Sequence, residues 1–381
     1  MLRKDYVPFG KPNFSEEEIE AVARVMRSGW IGMGPETVLF EKELAAFVGA
    51  PYVVTVNSCT SALFLALLVN GIGPEDEVIV PSLTWCSTAN AALYLGATPV
   101  FCDVDINTLS VTPELVLEKL TPRTKAVMVV HMGGLAVEME AFRKVLPDRV
   151  AIIEDAAHGL GSKFADGRPV GSSGNLTCFS FYANKNLSTA EGGAIALFDE
   201  TKAEKLSSLR QNSLTADAWK RFTHPQCALV PGIEELGYKM NFTDLQASIG
   251  RVQLRRQGEF HAIRLDIAKK YCELLPQIIP SIKCQANLLH PHHSRHLFQI
   301  MLPLEEIALT RNDLLLQLRS RNVGASIHYA PLHFMPLYAA NQPALPSTES
   351  ICNRIMTLPI SSSMTVADVD YVLEQLKELI G

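Results

Sequence analysis

The feature that most constrains this chain is an alternation of short apolar runs with helical stretches between residues 53 and 198. The apolar runs are continuous, four or five residues long, and most are rich in valine or isoleucine. Such runs, separated by helices, are typical of buried strands in a mostly parallel sheet that helices cover on both faces. The predicted strands are residues 53–56, 77–80, 98–101, 126–130, 150–153, 177–181 and 194–198. The sequence therefore predicts an α/β domain.

Two amphipathic helices are predicted ahead of this sheet. Ser15 and Glu18 have the spacing of a capping box, and apolar residues follow at helical period until Gly29. A second helix contains Phe40 and ends at Gly49.

The pattern changes after residue 249. Residues 249–275 are predicted to form one long charged helix, followed by a strand at 297–302, a helix at 312–321, a strand at 324–329 and a closing helix at 366–380. We therefore expect a large α/β domain at residues 1–255, including the N-terminal segment, and a small α+β domain at residues 256–381.

Composition excludes several classes of partner. The formal net charge is -6 and basic runs are absent, which argues against nucleic acid or an anionic membrane surface. No uncharged apolar run has bilayer-spanning length, and the N-terminus lacks a signal-peptide core. The cysteines form no C-x-x-C pair and are expected to be reduced thiols: Cys59, Cys86, Cys102, Cys178, Cys227, Cys272, Cys284 and Cys352. A soluble, cytoplasmic protein is expected.

Two ionisable residues follow predicted strands, where ligands bind in open α/β sheets. Asp155 comes after the run 150–153, and Lys185 lies in a small polar turn after the run 177–181. A carboxylate opposite a heterocyclic nitrogen keeps that nitrogen protonated, and a confined lysine can lose its proton and attack a carbonyl. A helix cap and a solvated side chain are the simpler interpretations.

Polar and aromatic residues follow two more predicted strands. Thr60 and Ser61 lie where a strand meets a wholly apolar helix, an arrangement that suits a phosphate and would equally suit an ordinary helix cap. Ser180 could add a further hydroxyl. Trp85 follows the strand at 77–80 and could lie flat on an aromatic ring, or belong to the core.

Taken together, ordered segments over nearly the whole chain resemble the DegT/StrS-type nucleotide-sugar aminotransferases, which are fold-type I enzymes dependent on pyridoxal phosphate (PLP). The matching segments are 28–34, 40–41, 57–63, 81–85, 154–158, 179–181, 184–186, 191–193, 236–241 and 327–329. The resemblance implies a large domain with a mostly parallel sheet and a smaller α+β C-terminal domain.

The resemblance also implies roles for particular residues. Lys185 would hold PLP as a Schiff base and shuttle protons, and Asp155 would bind the pyridine nitrogen. Trp85 would stack on the ring, and His158 would lie near its phenolic oxygen.

The phosphate of PLP would be bound from two subunits. Thr60, Ser61 and Ser180 would bind it within one chain. Asn241 would reach it from the neighbouring subunit, so that a homodimer with shared active sites is expected.

The implied reaction is a ping-pong transfer of an amino group from glutamate, or glutamine, to a keto-sugar. The acceptor would be a nucleotide-linked 4-keto sugar or 3-keto-6-deoxy sugar. An aminotransferase acting on a cyclitol ketone (an inosose) or on a non-nucleotide sugar is the alternative. A PLP-dependent sugar dehydratase, which has histidine where this chain has Lys185, and a non-catalytic PLP-binding protein are further alternatives.

Some positions depart from the family pattern. Residues 131–134 read His-Met-Gly-Gly, Ala190 replaces a common glycine, and His158 stands where glutamine is frequent. Because of these departures, the resemblance does not define which residues form the sugar pocket.

Three further residues, His296, His328 and Tyr329, are candidate sugar contacts. For His328 and Tyr329 the simpler interpretation is that they are plain strand residues. The tract 290–296 has four histidines but no acid or thiolate nearby, so a surface loop is expected there rather than a metal site.

Overall fold

The computed structural model describes residues 3–214, 232–233, 235–338 and 344–380. Its larger lobe is built on a seven-stranded sheet with the strand order β1-β7-β6-β5-β4-β2-β3. The strands are β1 Tyr52–Val56, β2 Glu77–Pro81, β3 Thr98–Cys102, β4 Thr124–Val130, β5 Ala151–Asp155, β6 Leu176–Ser180 and β7 Gly193–Leu197. All seven strands predicted between residues 53 and 198 are confirmed, and the described pairs of this sheet are parallel except where β7 pairs with β1 and β6.

Helices cover both faces of this sheet. They are α1 Glu16–Ser28, α2 Pro35–Val48, α3 Cys59–Val69, α4 Cys86–Leu93, α5 Pro113–Leu117, α6 Met139–Val145, α7 Glu200–Leu209, α8 Asp244–Arg255 and α9 Gln257–Ile278. Consecutive residues of a strand point to opposite faces, so Val53 packs in a core with α2 and α8, whereas Val54 packs in a second core with α3, α4 and α7. Within the described ranges, no helix is long and apolar enough to cross a bilayer.

The smaller lobe has a three-stranded antiparallel sheet in the order β10-β9-β8, with β8 Lys283–Cys284, β9 Phe298–Met301 and β10 Ile355–Leu358. Helices α10 Arg311–Ser320, α11 Pro346–Ile351 and α12 Val366–Ile380 belong to the same part of the chain. Helices α9, α10 and α12 contribute to a third core, which Val7 also joins. The division at residue 255 stays a prediction, and the N-terminal segment packs on the smaller lobe.

The predicted start of α1 is confirmed. The Ser15 hydroxyl accepts a hydrogen bond from the Glu17 backbone, and the Ser15 backbone N–H donates to Glu18 Oε2 at 2.7 Å. Gly29 ends the helix with a left-handed φ of 75°.

Seven cysteines are free thiols in the structure, and Cys227 lies outside the described residues.

Two predicted elements of the second half are wrong. The single helix at 249–275 is two helices, because Arg256 leaves helical geometry and its guanidinium binds Glu18 at 3.0 Å. Residues 324–329 form no strand beyond a single bridge between Ser326 and Thr357, since this segment turns towards a cavity that His328 helps to line.

The tract 290–296 is not simply a surface loop. Its later residues are buried around Arg295, whose side chain is fully buried. The guanidinium donates hydrogen bonds to the carbonyl oxygens of Leu288, His290 and His293 at 2.6–2.7 Å. The loop is therefore organised by a buried cation that satisfies backbone carbonyls.

The start of α2 is capped by a residue distant in sequence. Its own N-cap, Gly34, has no side chain, and the buried Asp244 carboxylate of α8 takes over. Asp244 accepts hydrogen bonds from the backbone of Gly34 at 2.8 Å and from the backbone and hydroxyl of Thr37 at 3.0 and 2.7 Å. This carboxylate ties two helices of one face together.

We expect Asp244→Ala to lower the free energy of unfolding by about 2 kcal/mol or more, because several buried donors lose their acceptor. Denaturant unfolding followed by circular dichroism measures this. The matched control is Asp266→Ala, which removes an exposed carboxylate paired with Lys269 and should change the midpoint little. Equal midpoints for the two variants would contradict the capping role.

Candidate active site

A cavity of about 550 Å³ opens at the carboxyl ends of β4, β5 and β6. Because β7 is antiparallel, its amino end lies at the same edge and brings Gly192 into the wall. The structure places eight of the predicted site residues in this wall: Thr60, Trp85, Asp155, His158, Ser180, Lys185, His328 and Tyr329. Three others, Ser61, Asn241 and His296, are not among the lining residues.

Lys185 lies in the turn that follows β6. Its backbone N–H donates to the Tyr182 carbonyl at 2.9 Å, which fixes the turn. Burial lowers the pKa of the Lys185 amine to about 8, although the nearby Cys59 and Asp155 oppose this shift. An amine with this pKa is a better nucleophile at neutral pH than an ordinary lysine.

Asp155 is the last residue of β5 and is buried, with 4% of its surface exposed. Burial raises the pKa of its carboxyl group, whereas hydrogen bonds from the Thr88 hydroxyl at 2.7 Å and the Ala157 N–H at 3.1 Å oppose the rise. Lys185 opposes it as well. A carboxylate held in this way is suited to pair with a cation inside the cavity.

Thr88 was not predicted from the sequence. It lies on α4, and its hydroxyl is 3.0 Å from that of Thr84, so a short chain of hydroxyls orients the Asp155 carboxylate. Nothing local in the sequence marks Thr88, because the contact depends on how α4 packs on the sheet.

The start of α3 is rich in hydroxyl groups. Ser58 caps the helix by accepting a hydrogen bond from the Ser61 N–H at 3.1 Å, and Ser61 donates to Asn57 Oδ1 at 2.7 Å. The Ser61 hydroxyl is thus engaged locally. The hydroxyls of Thr60 and Ser87 lie 2.8 Å apart and both residues line the cavity.

Gly193 allows β7 to pass directly beside this helix start. A Cβ at Gly193 would lie 2.6 Å from the Cys59 nitrogen and 2.7 Å from the Ser58 oxygen. Such contacts are shorter than any side chain permits, so only glycine fits there.

Ser58 and Ser87 also line the cavity with polar side chains, and neither was predicted from the sequence as a site residue.

His158 is held from two sides. Its Nδ1 accepts a hydrogen bond from the Gly133 N–H at 3.3 Å, and its Nε2 lies 3.1 Å from the Tyr329 hydroxyl oxygen. Burial holds the pKa of His158 well below its ordinary value, and the nearby Lys185 acts in the same direction.

His296 lies behind this pair. Its ring stacks on that of His158 with centroids 4.5 Å apart, and its Nδ1 is 3.2 Å from Asn186 Oδ1. The residue is buried and does not reach the wall of the cavity. This geometry favours a supporting role for His296 over the predicted contact with a substrate.

His328 does reach the wall. Its Nδ1 is 3.0 Å from the Thr357 hydroxyl, and its ring stacks on Phe9 at 4.6 Å. Burial lowers the pKa of His328 to about 3, with a smaller contribution from Lys185. The imidazole is therefore neutral at physiological pH.

Trp85 and Asn241 differ in their position relative to the cavity. Trp85 is 60% exposed at the cavity mouth, with its ring 6.0 Å from that of Tyr329.

Asn241 follows Met240, whose carbonyl accepts a hydrogen bond from the Asn57 N–H of the same chain at 3.1 Å. Within the described ranges, the buried Asn241 Oδ1 has no hydrogen-bond partner. Its predicted contact with a neighbouring subunit stays a prediction.

The unusual residues 131–134 lie just behind the cavity. His131 accepts the Val137 N–H at Nδ1, so Nε2 carries its proton and donates to Glu154 at 2.8 Å. Burial would raise the pKa of Glu154, but its hydrogen bonds from His131, Ser173 and Asn175 hold it below the ordinary value. This pair supports the end of β5, next to Asp155.

Comparisons with known proteins agree with this site. Residues 12–377 match the DegT/DnrJ/EryC1/StrS aminotransferase family. The chain is 39% identical to the spore coat polysaccharide biosynthesis protein SpsC of Bacillus subtilis (strain 168), over 99% of this chain and 98% of that protein.

Solved structures are similar over the same length. The aminotransferase TlmJ from Streptoalloteichus hindustanus has a TM-score of 0.89 and 34% identity, with 98% of each chain covered. Spr1654 from Streptococcus pneumoniae in its PLP form has a TM-score of 0.88 and 30% identity, again with 98% of each chain covered.

In the cofactor-free protein, we expect the rate of Lys185 acetylation by acetic anhydride to have its pH midpoint near 8, because burial lowers the pKa of the amine. Peptide mapping by mass spectrometry over a pH series measures the rate at this residue. A solvated lysine in a short peptide, with a midpoint at about 10.4, is the reference. A Lys185 midpoint equal to that of the peptide would contradict the effect of burial.

Proposed function

The chain belongs to the DegT/DnrJ/EryC1/StrS aminotransferase family, and we propose that it moves an amino group from glutamate, or from glutamine, to a nucleotide-linked keto-sugar. The family consists of PLP-dependent sugar aminotransferases, so the enzyme class and the cofactor follow from membership. The acceptor proposed is a 4-keto sugar or a 3-keto-6-deoxy sugar. One observation carries the site assignment: Lys185 and the buried Asp155 line one cavity, in which desolvation shifts the pKa of both groups.

The residues of the cavity fit PLP. The group needs an amine, an acid for its ring nitrogen and donors for its phosphate, and the wall supplies Lys185, Asp155 and the hydroxyls at the start of α3. The close approach of Gly193 to that helix start leaves the backbone there without side-chain cover. Bound PLP supplies an aldehyde that reacts with amines and a protonated ring that withdraws electrons from the attached carbon.

Asp155 keeps the ring nitrogen protonated in this proposal. Its carboxylate is buried, so its attraction for a cation is screened little by water. Thr88 orients the carboxylate through its hydrogen bond to Oδ2.

Lys185 has two tasks. Its amine holds the cofactor between turnovers, and once substrate has displaced it, Nζ accepts a proton at one carbon and returns it at another. A pKa of about 8 suits both steps, since the amine gains and loses a proton readily near neutral pH.

The phosphate is bound in this proposal by Thr60, Ser180 and N–H groups at the start of α3. Asn241 of a second subunit completes the contact, which requires a homodimer. Among the residues that the structure describes, the buried Asn241 Oδ1 has no hydrogen-bond partner, and the Nδ2 of this amide is the group that would donate to the phosphate in the proposal.

A sugar fits the remaining wall. Tyr182 is an exposed aromatic residue beside Trp85, which is predicted to stack on the cofactor ring, and His328 is neutral. Aromatic faces and neutral hydrogen-bonding groups suit a polyhydroxylated ring. The name of the relative SpsC refers to polysaccharide biosynthesis, which supports an amino sugar destined for a polysaccharide.

We expect borohydride reduction of the yellow holoenzyme to attach the cofactor to Lys185 and to no other lysine. Peptide mapping identifies the modified residue. Lys185→Ala should retain cofactor more weakly and should not be bleached by glutamate, whereas Lys144→Ala, which changes an exposed lysine on α6, should behave as the parent. Attachment at another lysine would overturn the assignment.

Asp155→Asn should slow the bleaching of the cofactor by glutamate about 100-fold or more, the order expected for loss of one electrostatic group from an active site. Stopped-flow absorbance measures the rate. Asp166→Asn, which alters an exposed acid, is the control. A rate within a factor of about two of the parent would remove Asp155 from the mechanism.

The acceptor is tested by mixing the glutamate-treated enzyme with UDP- or dTDP-linked keto-sugars and, separately, with scyllo-inosose. We expect the yellow colour to return with a keto-sugar nucleotide, and NMR of the product identifies the aminated carbon. Return of colour with the inosose alone would favour the cyclitol alternative.

A further inference from the structure

The hydrogen bonds of His158 fix the position of its proton. Nδ1 accepts the Gly133 N–H, so the proton of the neutral ring is on Nε2. Nε2 then donates to the Tyr329 hydroxyl oxygen, 3.1 Å away. Both ring nitrogens are in use, and neither is left for a ligand.

The structure around His158 holds this arrangement in place. The His296 ring stacks on one side at 4.5 Å, the Tyr329 ring lies nearly parallel at 15°, and Ser294 Oγ donates to the His158 carbonyl at 2.9 Å. Gly133 can approach this closely because it adopts a φ of 65°, and a Cβ there would lie 2.3 Å from Gln285 Oε1. The departures from the family pattern at 133 and 158 are therefore one structural unit.

Tyr329 is left with an unused proton. Its oxygen accepts from His158, and among the described residues its hydroxyl makes no second hydrogen bond. The residue lines the same cavity as Lys185 and Asp155. Burial, to which the neighbouring Asp155 adds, raises the pKa of the Tyr329 phenol, so the hydroxyl keeps its proton and can donate it towards the cavity.

We propose that Tyr329, positioned by His158, donates the hydrogen bond to the phenolic oxygen of bound PLP, a role that the family resemblance would assign to residue 158 itself. The inference rests on the proposed attachment of PLP to Lys185. In PLP the phenolic oxygen is on the ring carbon next to the one bearing the aldehyde, so its partner must lie near Lys185. His158 is a positioning residue in this account.

Other groups near this pair are neutral or already engaged. His328 binds Thr357 and stacks on Phe9, and His296 binds Asn186. The ionisable groups that act on His158 and Tyr329 are Lys185, His328, Asp155 and Cys86. The two charged ones, Lys185 and Asp155, have their own partners on the cofactor, whereas the Tyr329 hydroxyl is a cavity-lining donor that the hydrogen bond from His158 holds in place.

The test is the pH dependence of the visible absorbance of the holoenzyme. A donor stabilises the phenolate, and without it the phenolate holds the neighbouring proton on the Lys185 nitrogen more tightly. Tyr329→Phe should therefore raise the midpoint of the absorbance change by about one pH unit or more. Tyr338→Phe, which removes a buried hydroxyl bonded to Asn90 outside the cavity, should leave the midpoint unchanged.

Variants at position 158 test the positioning. His158→Gln retains an N–H donor and should keep the midpoint near that of the parent, whereas His158→Leu should shift it in the same direction as Tyr329→Phe. An unshifted midpoint in a yellow Tyr329→Phe enzyme that glutamate still bleaches would overturn the inference and leave the proposed function intact. A raised KM for the keto-sugar with an unshifted midpoint would equally overturn it, because Tyr329 would then serve the substrate.

Discussion

Burial of an amine and a carboxylate in one cavity is the constraint on which the rest of this structure depends. Water would stabilise the charges of Lys185 and Asp155, and the cavity withholds it, so the amine loses its proton more easily and the carboxyl holds its proton more strongly. The pKa values of both groups are therefore shifted towards neutral pH, where each can exchange a proton with a ligand. The parallel strands make this possible, since their carboxyl ends meet at one edge and are closed off by helices on both faces.

Much of this arrangement could be predicted from the sequence. Continuous apolar runs predicted the strands because both faces of a parallel sheet are buried. The polar residues directly after those runs, including Asp155 and Lys185, had to lie at the shared edge. The capping box at Ser15 predicted the start of the first helix, because capping is decided within one turn.

What could not be predicted depends on contacts between distant parts of the chain. Thr88 reaches Asp155 only once α4 has packed on the sheet, and Asp244 caps α2 from another helix. Arg295 looked like part of a polar surface tract, yet three backbone carbonyls satisfy it in the interior. The strand expected at 324–329 failed because its β-like composition serves a cavity wall instead of a sheet. Local periodicity carries no record of such long-range partners.

The central claim concerns where the cofactor is held, and a high-resolution crystal structure of the PLP-loaded enzyme tests it most directly. The account predicts continuous density from the Lys185 Nζ to the cofactor, with the Asp155 carboxylate within hydrogen-bonding distance of the ring nitrogen. Density that leaves the Lys185 side chain turned to solvent, or that places Asp155 away from the ring, would contradict it.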